Sequence, residues 1–286
     1  MEIHWYPGHM AKTRRMIKEN LPLIDTVVEL VDARAPMSTH LPDIFQIIGS
    51  KRLVVVLNKA DLADPNATRL WLNKFRELGL TAIDIDTPKR LGIKKLVDML
   101  HETKTKGPSS HFRPMRCAIL GVPNVGKSSL INQLARRKGA KTGDKPGVTK
   151  GKMWLKVDRT LELLDTPGIL WPKFEEKSTA IKLALIGSIK DELVNIEELS
   201  QILIKYLVIN YPEYLIARYN IELNGYKGNS PIQVLEQIAK NRGFLLSKSE
   251  FDVKRSSRTI MSEFRQGKLG RISLERPDEQ DFWADY

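Results

Sequence analysis

Gly121-Val122-Pro123-Asn124-Val125-Gly126-Lys127-Ser128 reads as a complete phosphate-binding loop, and it stands near the middle of a chain of 286 residues. Asn58-Lys59-Ala60-Asp61, a motif that selects guanine, comes before it, although a GTP-binding fold ordinarily carries that motif downstream of the loop. A base-reading motif ahead of a phosphate-reading one predicts two things together. The chain binds GTP, and its nucleotide domain is circularly permuted.

Each residue of the pair has a chemical reason to be there. Glycines let consecutive backbone N–H groups face one concavity, which suits phosphate oxygens. The helix that follows adds its positive dipole end. Asn124, Val125 and Gly126 form the cradle, and Lys127 neutralises the β- and γ-phosphates in binding and catalysis. The Ser128 hydroxyl coordinates Mg²⁺, with Ser129 beside it at the mouth of the helix. Asp61 accepts from both guanine N1–H and the exocyclic amine, whereas adenine would leave the same carboxylate buried and unpaired. Asn58 is expected to donate to guanine N7, and the Lys59 stem to cover the base plane. Asp165-Thr166-Pro167-Gly168 supplies the γ-phosphate sensor: Asp165 holds Mg²⁺ through a water, and the Gly168 N–H reaches the phosphate. Thr149, in Pro146-Gly147-Val148-Thr149, is the candidate that closes over Mg²⁺ from a polar loop.

The surrounding pattern supplies the context these motifs require. Residues 25–32, 53–57, 80–86 and 116–120 read as strands, and Leu53-Val54-Val55-Val56-Leu57 is apolar throughout, as in a strand covered on both faces. Asp64-Pro65 opens a helix that runs to about Leu78 and stops at Gly79. A further helix spans 91–103, residues 104–114 read as a linker, and another helix runs from Ser128 to Arg137. Residues 138–151 are polar and basic and read as mobile, and 153–157 with 161–164 form a hairpin. Strands alternating with helices predict a doubly wound, mostly parallel sheet over residues 1–176. From Lys177 the apolar residues recur at helical spacing only, so 177–286 is expected to be a smaller, all-helical domain, whose basic residues suit RNA.

Bulk properties narrow the partners. The chain has 42% hydrophobic and 28% charged residues, as a protein with a real core does. No apolar run approaches the roughly 18 residues of a membrane span, and the first nine residues do not resemble a secretory leader. One cysteine, Cys117, excludes an internal disulfide, and a cytoplasmic protein with no membrane partner is expected. The formal net charge of +12 favours polyanions. Eight basic residues lie between Arg136 and Lys156, and a second basic cluster runs from Lys248 to Arg276. The alternative to an RNA-facing surface, for either cluster, is a solvated charged face.

The order of motifs resembles the circularly permuted GTPases. Trp5-Tyr6-Pro7-Gly8-His9-Met10, Asp32-Ala33-Arg34-Ala35-Pro36 and Phe264-Arg265-x-Gly267-x-Leu269-Gly270-Arg271 are similar to the bacterial ribosome-biogenesis GTPase A family in particular. The resemblance implies a GTPase, slow alone, that binds the late precursor of the large ribosomal subunit through its rRNA and leaves on hydrolysis of GTP to GDP. It also implies that His9 is catalytic. The residue after the sensor glycine is Ile169, which cannot orient water, and permutation is expected to lead residues 1–24 into the strand beside the sensor. Asp86-Thr87 stand where the family usually has a Ser-Ala pair against the guanine carbonyl; there the Thr87 backbone N–H can serve. Asn124 resembles the asparagine of potassium-activated GTPases and is a candidate K⁺ ligand. Arg34 is expected to have an exposed structural role, and the free protein to be a monomer. Two other readings share these motifs: an RNA-binding module that hardly turns GTP over, and a GTPase acting on another RNA.

Overall fold

In the computed structural model, the six strands are β1 (Thr26–Asp32), β2 (Arg52–Asn58), β3 (Thr81–Asp84), β4 (Met115–Leu120), β5 (Trp154–Lys156) and β6 (Leu161–Asp165). They form one sheet in the order β3-β2-β1-β4-β6-β5. The structure describes residues 8–102, 113–135, 154–166, 168, 176–223, 230–246, 250–278 and 282–285; for 8–13, Asp165, 284 and 285 it describes the backbone alone. All neighbouring strands are parallel except β5, which runs antiparallel to β6. Every residue of β1 is buried, and Leu53–Leu57 of β2 is buried throughout, which is why that run is continuously apolar instead of alternating.

The chain order creates the site. From β1 it steps outward through β2 to β3, then returns to the other side of β1 as β4. Strands β1 and β4 therefore flank a switch point, and ligands of open α/β sheets bind outside the carboxyl ends of the strands there. Asp32 pairs in register with Asn58, and Glu29 with Leu120, so the ends of β1, β2 and β4 open onto one edge. The sequence reading expected the strand entered from the N-terminus to lie beside the sensor; it is not adjacent to the sensor strand. Strand β4 intervenes between β1 and β6.

Helices complete this layer: α1 (Gly8–Asn20), α2 (Pro36–Thr39), α3 (Ile44–Ile48), α4 (Pro65–Glu77), α5 (Ile93–Glu102) and α6 (Lys127–Ala135). The start of α4 follows from Asp64, whose side chain accepts from the Asn66 and Ala67 N–H groups at 2.7 and 3.3 Å, with Pro65 in the first turn. It ends just ahead of Gly79, which takes φ +76°. Trp71 and Phe75 bury its inner face.

A second compact unit contains α7 (Lys177–Leu185), α8 (Ile196–Asn210), α9 (Pro212–Tyr219), α10 (Pro231–Arg242) and α11 (Val253–Arg265). Its only strand-like pairing among the described residues is an isolated bridge between Leu245 and Phe251. Helix α10 carries a complete capping box, Ser230 with Gln233. On α11, Ile260, Met261 and Phe264 are buried while Lys254, Arg255 and Arg258 are exposed. Arg265, counted from sequence among the basic cluster, is used internally. It donates to the Ala184 and Leu185 carbonyls at 2.8 and 3.0 Å, closing the end of α7, and pairs with Asp191.

The compact units do not follow the chain in two simple blocks. Glu275–Pro277 belongs with the sheet unit, although Leu274 before it and Asp278 after it belong with the helices. Within the sheet unit, Glu275 accepts from the Met37 and Ser38 N–H groups at 2.8 and 3.1 Å and from the Ser38 hydroxyl. Its carbonyl accepts from the Trp71 indole at 3.1 Å. A carboxylate from the tail thereby satisfies the free donors at the start of α2.

Candidate functional site

Two loops meet at the switch point. The first follows β2 and carries Asn58-Lys59-Ala60-Asp61; the second joins β4 to α6 and carries Gly121–Ser128. Asn58 donates through Nδ2 to the Val125 carbonyl at 2.7 Å, and Lys59 Nζ to the Asn124 carbonyl at 2.6 Å. These bonds span 67 and 65 residues of chain.

The close approach explains Gly126. It has φ +101°, and a Cβ there would lie 2.4 Å from Asn58 Nδ2. Only glycine fits. Lys59 and Asn124, at the two ends of the other bond, both take left-handed backbone, at φ 59° and 63°. Such conformations are uncommon for residues with side chains and persist where the surroundings hold them.

Asn58 is 2% exposed, and its Oδ1 accepts from the Thr87 hydroxyl at 2.7 Å. The side chain is a brace linking three loops, and its second amide hydrogen is the one that the expected bond to guanine N7 would use. Asp86 also turns inward: its Oδ1 accepts from the Lys89 N–H at 2.9 Å and shapes the turn that presents Thr87. Ala60 N–H bonds the Ile85 carbonyl, and Leu62 N–H the Lys59 carbonyl, forming the turn on which the half-buried Asp61 sits.

In the phosphate loop, Lys127 is buried and donates to the Gly121 and Val122 carbonyls at 2.9 and 2.8 Å. Its ammonium therefore lies inside the cradle of the loop. Ser128 and Ser129 are exposed in the first turn of α6. An open hydroxyl there fits Mg²⁺, which takes one or two protein oxygens and fills its shell with water and phosphate. Gly168 packs against the same loop, where a Cβ would come within 3.0 Å of Pro123. Thr166 hydrogen-bonds the Ile119 carbonyl of β4. His9 falls in the first turn of α1, with its side chain outside the described residues; the Asp165 side chain, Thr149 and Ile169 lie outside them as well.

Two contributors escaped the sequence reading. Asp32, at the carboxyl end of β1, pairs with Lys59 Nζ at 3.0 Å. Arg34, expected to be exposed, is 1% exposed and grips Asp32 with two nitrogens, Nε to Oδ1 at 2.9 Å and Nη2 to Oδ2 at 2.8 Å. The signal available was an acid ending a buried strand at the edge where ligands bind.

A mostly parallel sheet with a phosphate loop at its switch point, and with its guanine motif on an earlier strand, defines a circularly permuted P-loop GTPase. A family model described as 50S ribosome-binding GTPase matches residues 116–233. It starts at β4 and omits residues 58–61, as permutation requires. Ribosome biogenesis GTPase A of Bacillus cereus is 44% identical over 285 residues, covering 98% of this chain and 95% of the relative. A GDP-bound structure of TM YlqF superposes with a TM-score of 0.68 at 30% identity, covering 93% of this chain and 100% of that one. The GNP-bound YlqF of T. maritima gives 0.65 at 31% identity, covering 94% and 100%. This chain belongs to the ribosome biogenesis GTPase A family. It is a GTPase that serves in ribosome assembly, and its family uses a guanine nucleotide with Mg²⁺. No described helix is long and apolar enough to cross a membrane.

Proposed function

We propose that this protein binds GTP between the Asn58–Asp61 and Gly121–Ser128 loops, and that hydrolysis times its stay on a late precursor of the large ribosomal subunit. The observation that carries the reading is the direct bonding of the two loops, Asn58 to Val125 and Lys59 to Asn124. A base held by Asp61 and a triphosphate held by the loop amides then share one pocket. Relatives named for ribosome biogenesis, and a family model named for 50S binding, support the partner.

Lys127 exchanges its two carbonyl partners for the β- and γ-phosphate oxygens, so its buried charge is never left unpaired. Ser128 and Thr149 hold Mg²⁺ directly and Asp165 through water, with Ser129 alongside. The metal, when bound, offsets the charge that builds on the phosphates during transfer. Gly168 donates its N–H to the γ-phosphate, Thr87 its N–H to the guanine carbonyl, and Asn124 contributes its side chain to a K⁺ site. His9 orients the attacking water, because Ile169 has no group to do so. The exposed Lys254, Arg255 and Arg258 of α11, with the basic loop after α6, meet rRNA phosphates.

One experiment tests this. GTP turnover with and without large subunits, in potassium and in sodium, and GTP and ATP affinities are measured for the wild type and His9→Ala, together with co-sedimentation with large and with small subunits. The expected outcome is slow turnover that rises with large subunits and potassium and falls in His9→Ala at unchanged GTP affinity. Co-sedimentation with small subunits alone would sink the partner, and ATP preferred over GTP would sink the site.

A further inference from the structure

Asp32 is wholly buried, yet its carboxylate receives two cations. Arg34 supplies two side-chain bonds at 2.9 and 2.8 Å and its own N–H at 3.1 Å; Lys59 Nζ stands 3.0 Å from Oδ2. Burial would push this carboxyl's pKa up. The charges of Arg34 and Lys59, with the Arg34 hydrogen bonds, outweigh burial and hold it well below the usual carboxylate range. Asp32 is thus an anion at neutral pH.

Arg34 alone balances that charge, so the second cation needs another reason. Lys59 is the mobile member, a point charge on a flexible stem, 23% exposed at the lip of the site. Its remaining bond goes to the Asn124 carbonyl of the phosphate loop. The backbone that carries the carboxylate is itself held. Thr39 Oγ1 accepts from the Asp32 N–H at 3.0 Å, and the Ala33 N–H donates to the Asn58 carbonyl at 2.8 Å.

We propose that Asp32 is a positioning residue for nucleotide binding: it anchors the Lys59 ammonium so that the lysine stem lies ready for the base while its head clamps the phosphate loop. Arg34 fixes Asp32, and Asp32 fixes Lys59. The inference rests on the reading that these two loops hold the nucleotide. Pre-ordering a flexible side chain strengthens binding without touching the bond that breaks, so the effect falls on affinity more than on turnover.

The test is a double-mutant cycle between Asp32→Asn/Arg34→Gln and Lys59→Met. Neutralising Asp32 and Arg34 together avoids stranding a buried guanidinium. GDP and GTP affinities, turnover at saturation and thermal unfolding are measured for the wild type, both variants and their combination. The expected result is GDP and GTP binding weakened alike by about tenfold in Asp32→Asn/Arg34→Gln. Turnover at saturation stays within about twofold, and the combination is no weaker than Lys59→Met. Wild-type affinity in the first variant, or losses that multiply in the combination, overturn the proposal. If Lys59→Met itself binds GTP like the wild type, the reading of the site fails instead. Should the first variant not fold, Arg34→Lys keeps the charge but loses the two-pronged grip. Its affinity should fall by about threefold, an effect that vanishes beside Lys59→Met; no change in Arg34→Lys overturns the idea.

Discussion

Gly126 is where the absence of a side chain matters most. A methyl there would displace Asn58 Nδ2, which lies 2.4 Å from the Cβ position, and would also have to accept φ +101°. Gly126→Ala should therefore cost the sheet unit about 1–3 kcal/mol and break the bond that joins the two loops, weakening GTP binding. Denaturant unfolding and nucleotide titration check both effects; a variant equal to wild type in both would show that the loops tolerate separation. At this scale the sequence marked residues whose chemistry has one obvious use, such as Lys127, which lies inside the cradle of its loop. It hid Arg34, because an arginine two positions past an aspartate looks the same whether the turn folds the pair inward or leaves it in water. It hid the bracing bonds of Asn58 for a related reason: the amide has two N–H donors, and only the path of the phosphate loop brings the Val125 carbonyl to one of them.

Among the elements, α11 is the tie of the helical unit. Glu263 on its inner side receives Arg218 from α9 at 2.7 and 2.9 Å and Arg242 from α10 at 3.4 Å. Hydrogen bonding from Arg218, ahead of the opposing effect of burial, holds the Glu263 carboxyl below its ordinary range. A carboxyl lowered in the folded state stabilises the fold above its unfolded pKa of about 4.3, and this contribution disappears as pH falls through the lowered folded value. Urea unfolding of the helical unit should thus be easier at pH 3 than at pH 7, and Glu263→Gln should flatten that difference. Equal pH dependence in the two proteins would mean that the three helices do not depend on this anion. The elements themselves were mostly legible. A continuous run rich in β-branched residues marked β2, and Asp64, Pro65 and Gly79 bounded α4, because caps and breakers act locally. Strand order was less so: the pairing of β1 with β4 comes from contacts across some ninety residues, which local patterns do not report, and that is why residues 1–24 were expected to enter the strand next to the sensor.

Across the whole molecule, the three residues Glu275–Pro277 stand out, since they belong with the sheet although they follow the helices. Glu275→Ala would leave the part-buried Met37 and the buried Ser38 N–H groups without their acceptor. The cost should be about 1–3 kcal/mol, seen as earlier unfolding of the sheet unit, while Glu275→Gln, which keeps a side-chain oxygen, should lose less. Equal loss in both would assign the effect to charge and not to the hydrogen bonds. Nothing in the sequence announced this contact. A glutamate in a basic tail has no local mark that its partner lies more than two hundred residues away.

Synthesis runs from one end of the polypeptide to the other, and domains generally fold as units in that order. Here the first half to emerge cannot be finished first. Its last buttress, Glu275, follows the helices of the second unit in the chain, so the newborn chain must carry an incomplete nucleotide half until those helices have been made. A cell that truncates this protein late in translation would therefore lose more than a tail.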